Sequence, residues 1–312
     1  MRNTTLAGQA NIFGPHRHNY PKLGRNDIQA LRAVLANPHH LKHVERHGPL
    51  SSTYLHALTK DTHRCRDTSL RQLQKLRAGG FLLLPHQQRF TEHADFNPYI
   101  YDLTKQARDH LIDLGLAEST VRPTGHWGHG AVVSSVTSAI DIAAARNGVR
   151  YIPAHKILAI KQAPLAVCIG GRKLIPDQLF ALDYGGMYRA VVLEVDRGTE
   201  PKTSSAARKS YVSSIELYRQ MIEHNLHRAH YGLKATMLIL WVFTRRSNEQ
   251  RFLEMVGQIG GQAKGLICTQ VMPDTRATLK AVTWANFKYW RAWRSTVQLF
   301  PRAICQDRAN SL

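Results

Sequence analysis

The 312-residue sequence is poor in cysteine, poor in acidic residues and without long apolar runs. Its four cysteines, Cys65, Cys168, Cys268 and Cys305, stand singly, with none of the paired spacings of zinc ribbons, redox motifs or disulfide frameworks. That pattern predicts a reducing compartment. The longest apolar stretch, Ala235–Phe243, has nine residues where a membrane span needs about 20, and Met1–Gly24 is polar and basic without a hydrophobic signal core. Membrane insertion and secretion are therefore not expected, and a cytoplasmic setting is. Acidic residues number 22 against 42 Lys and Arg, a formal charge of +20 with pI near 10.2. Such an imbalance predicts a polyanionic partner. Otherwise the chain is ordinary: 43% hydrophobic and 21% charged residues fit a folded globular protein, and the length suits two domains.

Residues 1–24 mix Gly, Pro, Asn and cations without a sustained period and read as a mobile basic arm. After the capping residues Asn26 and Asp27, Ile28, Leu31, Val34 and Leu35 fall at helical spacing, and Asn37-Pro38 ends that helix. Ser51 and Ser52 open a second helix that buries Tyr54, Leu55 and Leu58. A third, from about Asp67, turns Leu70, Leu73 and Leu76 inward and stops at Gly79-Gly80. Two short apolar runs, Phe81–Leu84 and Tyr99–Leu103, flank a polar tip and predict a hairpin, followed by a helix over 105–116.

Three helices and a hairpin predict a winged helix-turn-helix DNA-binding domain over 25–117. Its third helix would enter the major groove of double-stranded DNA with Arg66, Arg71, Gln72, Gln74 and Lys75, while Arg89 on the wing meets phosphate. A helical bundle with a merely solvated basic face is the other reading. Thirteen of the 17 histidines fall at or before His129. His39, His40, His43 and His47 have spacings that could bind zinc, with Cys65 as a further ligand, but no paired motif accompanies them and surface histidines are the alternative.

A Pro- and Gly-containing linker over 118–128 leads to a second domain, 129–275, where the pattern changes. Helices are expected over 130–147, 206–230 and 249–259, and strands over 151–159, 173–182, 188–195, 236–244 and 266–271. These predict an α/β sandwich around a mixed sheet. In the remaining segment, 276–312, Trp284, Phe287, Trp290 and Trp293 recur every three residues beside Lys288, Arg291 and Arg294. This reads as a packing stripe or, if exposed, a base-stacking surface.

In so basic a chain, acids at the ends of apolar strands stand out. Ile175-Pro176-Asp177 opens one strand, and after a Tyr184-Gly185-Gly186 turn the next ends in Glu194-Val195-Asp196. Strand alternation puts Glu194 and Asp196 on one side and Val195 on the other. If the turn makes a hairpin, Asp177 approaches Glu194 across the pair. Converging carboxylates repel unless neutralised, and hard oxygen donors suit Mg²⁺ or Mn²⁺. Pairing with Arg172, Arg189 or Arg197 would serve equally on spacing alone.

Pro176-Asp177 followed by Glu194-Val195-Asp196 resembles the active-site signature of the PD-(D/E)XK nucleases, the fold of many restriction endonucleases. The longer pattern, with Glu194-Val-Asp-Arg-Gly-Thr199 and Arg208-Lys209-Ser-Tyr211 behind a winged helix, is similar to the replication-relaxation family of plasmids and other bacterial mobile elements, over roughly residues 25–260. The resemblance implies a DNA nuclease, associated with the nucleoid or a plasmid, in which Asp177, Glu194 and the Val195 carbonyl hold Mg²⁺ or Mn²⁺. It also implies that Asp196 stands where the nuclease signature has lysine. Lys209 is then the candidate for a migrated lysine, with Arg208 or Arg197 behind it. Asp141 is a further acid on the preceding helix, at whose entry His126 and His129 lie. A homodimer and replication or mobilisation proteins are compatible further partners. The same resemblance accommodates a non-catalytic DNA-binding replication or regulatory factor with a degenerate nuclease fold.

Overall fold

The structure, a computed structural model, describes residues 25–84, 99–118, 127–198, 210–234 and 236–272. The chain forms helices α1 (Arg25–Ala36) and α2 (His39–His47), strand β1 (Leu50–Ser51), and helices α3 (Ser52–Leu58) and α4 (Arg66–Ala78). Strands β2 (Leu82–Leu83) and β3 (Ile100–Leu103) and helix α5 (Lys105–Asp113) follow. The three strands make a small antiparallel sheet in the order β1-β3-β2. Local chemistry sets the helix starts: the Ser51 side chain accepts from the Tyr54 N–H at 3.4 Å and that of Thr104 from the Ala107 N–H at 3.2 Å, satisfying donors that a first turn leaves open.

Leu31, Leu41, Val44, Leu55, Leu73, Leu76, Tyr101 and Leu111 form the core of this unit. Gly79 lets α4 end against α1, because a Cβ there would sit 2.6 Å from Leu31 Cδ2. Four helices precede the hairpin where three were expected. The added one is α2, whose buried face is made of His40, Leu41, Val44, Glu45 and His47 and so carries little apolar periodicity.

The second unit begins with α6 (Trp127–Arg146), then β4 (Arg150–Pro153), α7 (Ala154–Leu158), β5 (Val167–Ile169), β6 (Arg172–Leu174), β7 (Gln178–Asp183) and β8 (Tyr188–Asp196). It continues with α8 (Tyr211–Glu223), α9 (Leu226–Tyr231), β9 (Leu238–Phe243), α10 (Arg246–Ile259), a 3₁₀ turn and β10 (Ile267–Val271). Five strands form a mixed sheet in the order β10-β9-β8-β7-β4, with β8, β9 and β10 parallel and the other pairs antiparallel. On one face Val132, Val136 and Ile140 of α6 meet Phe180, Val191, Leu193 and Val195. On the other, Tyr211, Ile215 and Tyr218 of α8 meet Leu179, Val192, Trp241 and Phe243. The result is a mixed α/β sandwich, the fold class expected.

Helix α6 is apolar or small nearly all round, which is the composition of a helix buried on several sides. Its Ala139 and Ile142 belong to the core of the N-terminal unit. Three expected elements are subdivided. The strand over 151–159 stops at Pro153 and turns into α7; that over 173–182 divides at Pro176, which has no N–H for the ladder; and the helix over 206–230 breaks at Asn225, held left-handed at φ 53°. No helix among the described residues is long and apolar enough to cross a membrane. The arm, the wing tip with Arg89, most of the linker, the Lys209 segment and the C-terminal aromatic stretch lie outside the described residues.

Candidate acidic site and docking face

The acidic site is built on the β7–β8 hairpin. Gly185 and Gly186 take φ of 77° and 98°, a left-handed turn that other residues adopt at a cost, and Asp183 Oδ1 accepts the Gly186 N–H at 2.7 Å. The antiparallel register puts Gln178 opposite Leu193, and the Asp177 N–H donates to the Leu193 carbonyl at 3.0 Å. Continuing that ladder brings Asp177 level with Glu194. The Asp177 carboxylate is bridged: Oδ2 accepts the Val195 N–H at 2.7 Å, and Oδ1 lies 3.0 Å from His129 Nε2, on the first turns of α6. Its side chain is 15% exposed.

Glu194 and Asp196 both face α8, with no exposed surface. The Tyr218 hydroxyl donates to Glu194 Oε1. Burial, then the Glu194 charge and the bond to it, then the neighbouring Tyr231 and Asp177, push the Tyr218 phenol well above its ordinary pKa, so it stays a donor to Glu194. Asp196 is held differently. Its Oδ1 accepts the Gly198 N–H at 2.8 Å, and its Oδ2 accepts from Tyr211 Oη at 2.5 Å and Asn248 Nδ2 at 3.0 Å. This carboxylate ties the end of β8 to α8 and α10. Val195 points to the opposite face and packs in the α6 core.

Of the cations considered as partners for the acids, Arg172 instead contacts Glu216 at 3.5 Å. Asp141 is roughly 18 Å along α6 from His129 and belongs to another cluster: its Oδ2 lies 3.1 Å from His47 Nε2 and 3.6 Å from Arg46 Nη1. Burial opposes its ionisation, but the His47 bond and the His47 and Arg46 charges together outweigh that and lower its pKa. Tyr211 stands in the family pattern without an assigned role, and three further residues at the acidic site escaped sequence reasoning. Tyr218 and Asn248 read as ordinary helix positions. Arg245, exposed before α10, has Nε 3.6 Å from where a Cβ on Gly198 would stand.

On the N-terminal unit, Arg66, Arg71 and Gln74 of α4 are exposed and Gln72 and Lys75 half-buried, while Leu73 and Leu76 are inward. Arg77 lies over the Tyr99 ring at 5.9 Å, coupling α4 to the entry of β3. The four early histidines do not converge with Cys65, which is exposed. His40 is buried beside Ser69 Oγ at 3.0 Å; burial first, then the neighbouring histidines, lower its pKa to about 3.

A cationic helix beside a small three-stranded sheet thus precedes a mixed α/β sandwich with acids at one strand end. The replication-relaxation family model matches residues 41–236, well over half of the chain, and the chain belongs to that family. No curated protein and no solved structure matches it.

Proposed function

We propose that this protein docks on duplex DNA through the exposed face of α4 and acts on its phosphodiester backbone at the Asp177–Glu194 pair, in replication or relaxation of plasmid or mobile-element DNA. The observation that carries the reading is the juxtaposition of those two acids on adjacent strands at one end of the sheet. The chain's charge of +20 supports a nucleic-acid partner. On this reading the N-terminal unit is a winged helix and the sandwich is nuclease-like.

Two carboxylates and a backbone carbonyl are hard oxygen donors, and Asp177 retains exposed surface, so the residues fit Mg²⁺ or Mn²⁺ held by Asp177, Glu194 and the Val195 carbonyl. Such an ion, when bound, supplies a polarised phosphoryl oxygen and an acidified water. The protein's own groups do the positioning. The Val195 N–H and His129 fix the rotation of the Asp177 carboxylate, and Tyr218 fixes Glu194. Asp196 contributes alignment of β8, α8 and α10. The electropositive group that phosphoryl chemistry requires must come from elsewhere, with Lys209 and Arg245 as the candidates.

A non-catalytic DNA-binding factor is the second reading, and Asp196 favours it: a saturated, fully buried acid stands where the nuclease signature has a lysine. Docking is tested by fluorescence anisotropy on a duplex across a salt series. The affinity is expected to fall steeply with salt, and Arg71→Ala with Lys75→Ala to weaken it. Salt-independent binding, or binding indifferent to the double substitution, refutes the α4 face.

A further inference from the structure

We propose that His43, His47 and Asp141 form a binding site for a first-row transition-metal cation, Zn²⁺ as the type case, that fastens α2 to α6. The inference does not depend on the DNA-processing reading. His43 and His47 are four residues apart and share a face of α2, against which Asp141 projects from α6. One ligand atom from each of the three lies within 4.8 Å of the others. Tetrahedral Zn²⁺, with bonds of about 2.0–2.2 Å, sets its ligand atoms roughly 3.3 Å apart. The His47 Nε2 to Asp141 Oδ2 edge, at 3.1 Å, is already near that length. Side-chain rotation of His43 over roughly 1.5 Å or less closes the rest.

Two observations point to a cation rather than to packing. His43 Nδ1 has no exposed surface and no hydrogen-bond partner, although buried ring nitrogens normally find one. His47 Nδ1 lies 3.0 Å from Thr137 Oγ1, which is itself 3.2 Å from the Ser134 carbonyl. In the metal-free protein His47 Nε2 and Asp141 Oδ2 share a hydrogen bond at 3.1 Å. A cation that replaces the proton between them leaves the imidazole proton on Nδ1, where the Thr137 hydroxyl can accept it and hold the ring in the tautomer that a metal-ligating histidine needs.

Arg46 is the neighbouring positive charge, with Nη1 3.6 Å from Asp141 Oδ2. Its guanidinium is gripped by Glu118, with Nε at 3.0 Å and 3.2 Å from the two carboxylate oxygens, so it has a counter-ion of its own when Asp141 turns to a metal. Two imidazoles and one carboxylate favour Zn²⁺ and its neighbours over Mg²⁺ or Ca²⁺, and leave a fourth position for water. Because two ligands come from the N-terminal unit and one from the helix shared with the sandwich, the ion would set how firmly the two are joined.

The test uses the full chain, freed of metal with a chelator and titrated with Co²⁺, whose visible bands report tetrahedral coordination, followed by Zn²⁺ competition in excess Mg²⁺. One Co²⁺ per chain, displaced by Zn²⁺ and unaffected by Asp177→Ala, is expected. Asp141→Asn, which keeps the volume, and His43→Ala should each weaken binding by at least about tenfold, and Thr137→Val by about tenfold. Far-UV circular dichroism establishes that each variant is folded, and if one is not, the other decides. No tetrahedral Co²⁺ signal from the wild type, or wild-type affinity in a folded Asp141→Asn or His43→Ala variant, overturns the site.

Discussion

Asp196→Ala should lower stability by about 3–5 kcal/mol, an amount that follows from what the carboxylate holds. Three donors, the Gly198 N–H, the Tyr211 hydroxyl and the Asn248 amide, converge on a side chain with no exposed surface. Hydrogen bonds to a charged group contribute about 1.5–3 kcal/mol each, and a buried donor left without a partner costs about 1–3 kcal/mol. The variant is spared the burial of a carboxylate, which offsets part of the loss. At about 2–4 °C per kcal/mol for a domain of this size, the thermal midpoint should drop by roughly 6–20 °C. Circular dichroism melts and urea titrations of wild type, Asp196→Ala, Tyr211→Phe and the double variant measure the loss and its coupling. Tyr211→Phe should matter less once Asp196 is gone, because its hydroxyl has already been deprived of its acceptor. Asp196→Lys should be at least as damaging, since its ammonium would face three donors. A loss under about 1 kcal/mol in Asp196→Ala, or strict additivity with Tyr211→Phe, refutes the assignment of Asp196 as a structural tie.

Three further outcomes are expected. His40 is buried and its folded pKa is depressed to about 3, so between pH 6.5 and 3 the unfolded chain holds a proton that the folded chain does not. Stability contributed by the neutral ring is therefore present above pH 6.5 and lost at about 1.4 kcal/mol per pH unit as pH falls through that window. A His40→Gln variant with the same acid slope as wild type would contradict this. Gly79→Ala should cost about 1–3 kcal/mol through the clash of its Cβ with Leu31 Cδ2, and an unchanged urea midpoint would show that α1 and α4 adjust freely. Removing Arg71 and Lys75 should flatten the salt dependence of duplex binding by about 0.9 in slope for each phosphate no longer neutralised. An unchanged slope would place those side chains off the DNA.

Much of the frame was legible because it follows from periodicity and turn chemistry. Tyr184-Gly185-Gly186 between two apolar runs marks the hairpin, and a period of two puts Glu194 and Asp196 on one face. The cap at Ser51 sits where a helix start needs an acceptor. What stayed hidden depends on tertiary contact. Helix α2 buries His40 and His47 by hydrogen bonds to Ser69 and Thr137, a solution that a search for apolar stripes passes over. Tyr211 and Tyr218 hold acids 15 and 24 residues away in sequence, and nothing in their helical spacing distinguishes them from core aromatics. Asp141 reads as a further acid on the helix preceding the sheet, whereas helix length carries it to the N-terminal unit.

The most direct test of the account is incubation of purified protein with supercoiled plasmid, with and without Mg²⁺ or Mn²⁺, beside Glu194→Ala and Lys209→Ala. Metal-dependent nicking by the wild type is expected. Glu194→Ala should abolish it with DNA affinity intact or slightly higher, and Lys209→Ala should slow it by at least about tenfold, as expected for a charge-stabilising group. Normal cleavage by Lys209→Ala would move the electropositive role to another residue such as Arg245. No cleavage of supercoiled, linear or single-stranded DNA by a wild type that still binds duplex would contradict the catalytic claim and leave a DNA-binding replication factor.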